Sequence, residues 1–355
     1  MGLQNINIPT AKRYLPLLIS YIIDWVFIIG IALIGYGFHK VTPNHHPFTL
    51  TDPSISFPYT VHETVSTAVL VVVALIAPAV IIVLVTLVII PGSWGRGATW
   101  RVKVWEWNAG WLGLALAVAG AFMATEGLKD LYGRPRPDML ARCDPDLSNI
   151  GDYVVGGLGG KVEDTVYWCC VLFDFGLGYA GIDLILIDIY LVAFAGLTYL
   201  SLWLCAKFSI GFPYLAHSPF GQDLRAQKRE TIRDLGAAPP VLLVILAFVP
   251  MAVAFFISAS RWFDFRHHAF DIIFGSVMGM VFAWGAFRLY HLPIMRGGGW
   301  AWGARSRRHA FFKGVGLPSH IGGDNWSSMK DIPQTESRAA GQDIDLESGS
   351  RNLAE

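Results

Sequence analysis

The chain has 355 residues, of which 54% are hydrophobic and only 15% charged, with a mean hydropathy of +0.46. Soluble domains carry about 25% charged residues, so this composition excludes an ordinary soluble globular protein and points to the membrane. The formal net charge of zero is uninformative about nucleic acid, and no basic domain that would bind it is present.

Six stretches are long and apolar enough to span a bilayer as helices, which takes about 20 residues each. They are Tyr14–Phe38, Ser66–Ile90, Trp107–Leu128, Ile182–Ala206, Pro240–Ser258 and Ala269–Tyr290. The first is too long for a signal peptide and lacks a small-residue cleavage site. Gly2 is a poor myristoylation signal, because Ile6 stands where Ser or Thr is wanted.

Loop charges set the orientation. Lys12 and Arg13 precede the first span. Arg96, Arg101 and Lys103 fall between the second and third, and Lys207, Arg225, Lys228, Arg229 and Arg233 between the fourth and fifth. Arg288, Arg296, Arg305, Arg307 and Arg308 end or follow the sixth. With six spans all of these share one side, which is then cytosolic together with both termini. The opposite loops carry Lys129, Arg134, Arg136, Arg142, Lys161, Arg261 and Arg266 against that trend, and a phosphate site would explain them. The four cysteines, Cys143, Cys169, Cys170 and Cys205, show no metal-ligand spacing. Cys143 is read either as a disulfide partner on the non-cytosolic side or as a free thiol. From Gly297 a Trp-rich basic stretch reads as an interfacial segment, and the polar remainder to Glu355 as a disordered cytosolic tail. The organisation is therefore a cytosolic N-terminus (1–13), a six-span domain (14–293), and an interfacial segment with its tail (294–355).

Two clusters carry the chemistry. Lys129, Arg136 and Pro137 form Lys-x6-Arg-Pro at the end of the third span. Ser260, Arg261, His267 and Asp271 form Ser-Arg-x5-His-x3-Asp before and within the sixth. Asp271 follows His267 by one helical turn, so both can share a face. A carboxylate behind an imidazole fixes its tautomer and stabilises the imidazolium, leaving the other ring nitrogen to attack phosphorus. Arg261, placed in a loop, would grip phosphate oxygens in bidentate fashion. With Lys129 and Arg136 it would stabilise the equatorial oxygens of a trigonal-bipyramidal transition state without a metal ion. Any one of these cations alone is more readily explained as a lipid-headgroup anchor. The joint pattern is not, since the second motif alone recurs by chance in about one chain in several hundred.

At these residues the chain resembles the type 2 phosphatidic acid phosphatases, or lipid phosphate phosphatases, and within them the fungal diacylglycerol pyrophosphate phosphatase-like branch. The resemblance rests on Lys129 through Asp138 and Ser260 through Asp271, and covers most of Tyr14 to Tyr290. It implies an all-α, six-span transmembrane bundle of the PAP2/haloperoxidase type and a Mg²⁺-independent hydrolysis with no cofactor. The substrate would be a membrane lipid such as phosphatidate, lysophosphatidate or diacylglycerol pyrophosphate. It makes His267 the nucleophile that forms a phosphohistidine, Asp271 its orienting carboxylate, and Lys129, Arg136 and Arg261 the phosphate-binding residues, with His268 a neighbour in the pocket wall. The setting would be a multi-pass protein of the vacuole, endoplasmic reticulum, Golgi or plasma membrane, its active site on the non-cytosolic face. Oligomeric state is left open.

The family's second motif, Pro-Ser-Gly-His, is expected just before Ala193-Phe194-Ala195-Gly196 and is absent. Its helix N-terminus would cradle phosphate, and its histidine would protonate the leaving alkoxide. No histidine lies between His62 and His217. Residues 162–192 instead carry Asp183 and Asp188 in an apolar run, where each carboxylate costs about 2.5–3.5 kcal/mol near a helix centre. Two origins are open: a translated intron or shifted splice site, and a genuine isoform or degenerate enzyme. The alternative function is then a non-catalytic pseudophosphatase that binds anionic lipid. A vanadium-dependent haloperoxidase conflicts with the six spans, and a transporter lacks an intramembrane cation to pair with the aspartates.

Overall fold

The computed structural model describes residues 10–41, 44, 48–89, 97–132, 135–143, 154–156, 162–163, 189–208, 210, 238–294, 300–305 and 310–311. Among these residues six long helices form the body: α1 (Thr10–Phe38), α2 (Thr67–Val71, Val72–Ile76 and Ala77–Ile89), α3 (Gly97–Tyr132), α5 (Ile189–Lys207), α6 (Val241–Phe263) and α7 (Ala269–Tyr290). A short helix α4 (Met139–Cys143) and a two-stranded antiparallel ribbon, β1 (Val154–Gly156) with β2 (Val162–Glu163), follow α3. Among the described residues five helices are long and apolar enough to cross a membrane, and the apolar stretch Leu191–Lys207 of α5 is a shorter sixth. The protein is thus a mostly helical bundle, with the small ribbon an addition to the all-α expectation. The first part of the expected fourth span, 182–188, lies outside the described residues, as do Asp183, Asp188, Cys169, Cys170 and the tail beyond residue 311.

α5 is the axis. Leu191, Ala193, Phe194, Ala195, Leu197, Tyr199, Leu200 and Trp203 are all buried, with α7, α6, α3 and α2 around them. A helix that is apolar on every side is stable only when covered on every side. The outer helices are the reverse: Phe27 and Leu33 of α1, Leu84 of α2, Phe256 of α6 and Phe274 and Trp284 of α7 are exposed. Such a continuous apolar exterior suits an acyl-chain environment and not water.

Close approach to α5 depends on two glycines. The middle of α2, Val72–Ile76, is one turn of π-helix, and a side-chain β-carbon at Gly196 would stand 2.1 Å from the carbonyl oxygen of Ala74 within that turn. A β-carbon at Gly279 of α7 would meet the carbonyl oxygen of Leu191 at 2.7 Å. Backbone packs directly on backbone at both points, as is common where membrane helices associate.

α3 begins at Gly97, ten residues before the expected Trp107, so Arg101 and Lys103 lie within a helix and not in a loop. The extension is tolerated because its charges are partnered. Lys103 Nζ donates to the carbonyl oxygen of Leu87 at the end of α2 (2.8 Å). The Glu106 carboxylate is buried and accepts from Lys207 Nζ and from the backbone N–H of Ala301 (2.9 Å). Residues 300–305 fold back onto this end of the bundle. The N–H of Trp302 donates to the carbonyl of Tyr290 (2.9 Å), and Trp105 Nε1 donates to the carbonyl of Trp302 (2.7 Å). Arg305 reaches α1, where it donates to the Ser20 carbonyl (3.1 Å) and to Asp24 (2.7 Å).

Candidate active site

The opposite end of the bundle gathers the candidate residues. α6 runs to Phe263, five residues past the expected Ser258, so Arg261 belongs to its last turn and is buried, not placed in a loop. A helix carries a cation well in its last turn, where carbonyl groups concentrate negative charge. The turn that follows is tight. The N–H of Asp264 donates to the carbonyl of Ser260 (2.9 Å), and Phe265 takes a left-handed φ of 53°. That conformation is an outlier for a bulky residue and is held here by stacking on Phe57, with ring centroids 5.0 Å apart. His267 follows and is buried. α7 opens at His268 as N-cap, whose N–H donates to Asp271 Oδ2 (3.3 Å).

Arg261 is engaged at all three nitrogens. Nη1 pairs with Glu63 Oε2 (2.9 Å), Nη2 donates to the carbonyl of Val65 and stands 3.5 Å from Asp264 Oδ2, and Nε lies 3.4 Å from Ser260 Oγ. Asp264 also accepts from the N–H and hydroxyl of Thr64, at 3.0 and 2.7 Å. Arg266 Nη2 takes the other oxygen of Glu63 at 2.9 Å, and its guanidinium lies over the Tyr59 ring. The segment between α1 and α2 is thereby fastened across the α6–α7 turn.

The Lys129 cluster meets this turn directly. His268 Nε2 lies 3.1 Å from the carbonyl oxygen of Pro135, and the N–H of Phe57 donates to the carbonyl of Pro137 (3.0 Å). Arg136 is half-buried between these contacts, and Asp138 is fully buried beside it. Lys129 sits in the last turn of α3, 30% exposed, 3.8 Å from Glu126, which also pairs with His39 at 3.0 Å. The two sequence motifs, 123 or more residues apart in the chain, therefore occupy one end of the bundle. Asp271 is at the N-terminal end of α7, one turn after His267. The absent middle motif would stand just before Ala193, and of that stretch only Ile189 onward is described, as the start of α5.

Glu63, Thr64 and Asp264 complete the network and were given no role from sequence, while Arg266 was marked there only as one of the cations that a phosphate site would explain. Asp264 follows Arg261 by three positions, the spacing of an intrahelical ion pair, and that signal could have found it. Glu63 is 198 residues from Arg261 and carries no local signature.

Residues 191–294 match the PAP2 superfamily. The chain is 27% identical to diacylglycerol pyrophosphate phosphatase 1 of Saccharomyces cerevisiae, over 76% of this chain and 80% of that protein. It is 25% identical to probable diacylglycerol pyrophosphate phosphatase 1 of Schizosaccharomyces pombe, over 76% of this chain and 81% of that protein. With probable lipid phosphate phosphatase 4 of Arabidopsis thaliana it shares 22% identity, over 83% of this chain and 78% of that protein. No solved structure matches. Several apolar helices of membrane-spanning length, with lipid phosphate phosphatases among the relatives, make this a multi-pass membrane protein. The chain carries a PAP2 superfamily domain over residues 191–294 and is a homologue of yeast diacylglycerol pyrophosphate phosphatases and plant lipid phosphate phosphatases.

Proposed function

We infer that this chain hydrolyses the phosphate of a membrane lipid, of the phosphatidate or diacylglycerol pyrophosphate kind, through a phosphohistidine at His267. The observation that carries the reading is the meeting of the Pro135–Asp138 segment with the α6–α7 turn at one end of an apolar bundle. In the first step a His267 ring nitrogen attacks phosphorus, a P–N bond forms, and the P–O bond to the lipid breaks. In the second, water cleaves the P–N bond and releases phosphate. Asp271 orients the imidazole, and Lys129, Arg136 and Arg261 balance the charge of the phosphoryl oxygens. No metal ion enters these steps. Lys12, Arg13, Lys207 and Arg305 all belong to the far end, which supports a non-cytosolic active site with cytosolic termini.

The leaving alkoxide needs a proton, and no histidine between His62 and His217 is there to give it. General acid catalysis is worth about 10²–10⁴-fold, so turnover is expected to be lower than that of intact relatives by that order. The same absence favours the second reading, a protein that keeps the anion site and binds lipid phosphate without turnover. Acid-sensitive, base-stable ³²P labelling of the chain by labelled phosphatidate, lost in His267→Ala, supports the first reading. Saturable binding of phosphatidate vesicles with neither label nor release supports the second.

A further inference from the structure

Glu63 bridges two arginines. One carboxylate oxygen takes Arg261 Nη1 and the other takes Arg266 Nη2, both at 2.9 Å. Two guanidinium groups converging on a two-oxygen anion are the arrangement that also receives a phosphate edge. Glu63 is the most exposed member of the set, with 22% of its side chain exposed against 8% for Arg261 and 12% for Arg266. It lies on a connecting segment, while Arg261 is in the last turn of α6 and Arg266 on the α6–α7 turn that carries His267. Arg266 also keeps a buried Nε–H with no acceptor among the described residues. A buried guanidinium N–H left without an acceptor is costly, and an arriving oxyanion would satisfy it.

Charge points the same way. Arg261 and Arg266 against Glu63 and Asp264 sum to zero, so the network as it stands offers an incoming anion no net attraction. Moving Glu63 aside leaves one net positive charge, with Asp264 still anchored to Thr64 and still beside Arg261.

We propose that Arg266 is a phosphate-binding residue of this site, and that Glu63 is an internal anion occupying the arginine pair until the phosphate of the ligand displaces it. This rests on the phosphate-site reading above and adds to it a residue, Arg266, and a resting state closed by the protein's own carboxylate. Glu63 is a positioning residue, since it acts through the arginines. An internal competitor lowers apparent affinity by the fraction of molecules in which the site is free, so its removal should tighten binding.

The test is orthovanadate binding to the full-length protein in detergent, followed by isothermal titration calorimetry, in a His267-intact background. Glu63→Gln should bind about tenfold more tightly than wild type, by the same occupancy argument. Glu63→Asp, which keeps the charge but is too short to bridge both arginines, should fall between the two. It also secures the test should the glutamine variant not fold. Arg266→Gln should bind about tenfold more weakly, the loss expected on removing one charged hydrogen-bond partner. A Glu63 variant that binds vanadate no better than wild type, while wild type binds it, overturns the proposal and leaves the phosphate site standing. So does an Arg266→Gln protein with unchanged affinity. Absence of vanadate binding in every variant overturns both.

Discussion

Arg261 is a buried guanidinium whose charge is met by Glu63 at 2.9 Å and Asp264 at 3.5 Å, and Asp264 in turn holds both the N–H and the hydroxyl of Thr64. Asp264→Asn keeps the shape but removes the carboxylate from a buried pair. Such a break costs about 3–5 kcal/mol, so the variant should unfold at clearly lower temperature in detergent than wild type, read by tryptophan fluorescence. His268→Ala should also lower stability, by about 1 kcal/mol for one lost hydrogen bond, because His268 Nε2 meets the Pro135 carbonyl. The residues themselves divide by how they could be read in advance. Arg261, His267 and Asp271 are spaced within a dozen positions and are legible as a motif. Glu63 is not, since a contact across 198 residues leaves no periodic trace.

At the scale of elements, helix existence was legible and helix ends were not. Ala269–Tyr290 is recovered as expected because Asp271 and the N-cap His268 mark its start. α3 extends ten residues upstream, into a stretch whose charges look like a loop until the Leu87 carbonyl is seen to accept from Lys103, and Lys207 and the Ala301 N–H to donate to Glu106. The same blindness placed Arg261 in a loop: its charge suggested an end to α6, while its buried partners let the helix continue. The π-turn of α2 had no sequence signal, yet Gly196 is its counterpart. Gly196→Ala would drive a methyl into the Ala74 carbonyl, and overpacking of this kind costs about 1–3 kcal/mol. Gly285→Ala, with nothing within 4 Å, should be neutral. Thermal unfolding of the two variants side by side checks the contrast, and equal melting would contradict the packing described here.

Across the whole molecule the two ends of the bundle differ in kind. One carries Arg261, Arg266 and His267. The other is closed by residues 300–305 over a polar interior that includes Glu106, Lys207 and fully buried His291. Burial, with the Lys207 charge nearby, holds the His291 pKa well below its usual value, against a smaller opposing contribution from its backbone contact with Phe287. The folded protein therefore keeps His291 neutral, while the unfolded chain takes up a proton near pH 6.5. Stability from this group is full above that pH and is lost progressively as pH falls below it. Thermal unfolding temperatures should drop from pH 7.5 to 5.5, and the drop should be smaller in His291→Phe, which keeps the ring stacked on Phe287. An equal drop in both proteins would remove His291 from the account.

The central claim is that the end carrying His267 performs lipid phosphate hydrolysis. It is tested most directly by phosphate release from phosphatidate in mixed micelles, with EDTA present, comparing the chain as it stands with His267→Ala. The account predicts release that is slow relative to intact relatives, persists in EDTA and vanishes in the variant. Release at the same rate in both proteins, or release from neither, would contradict it.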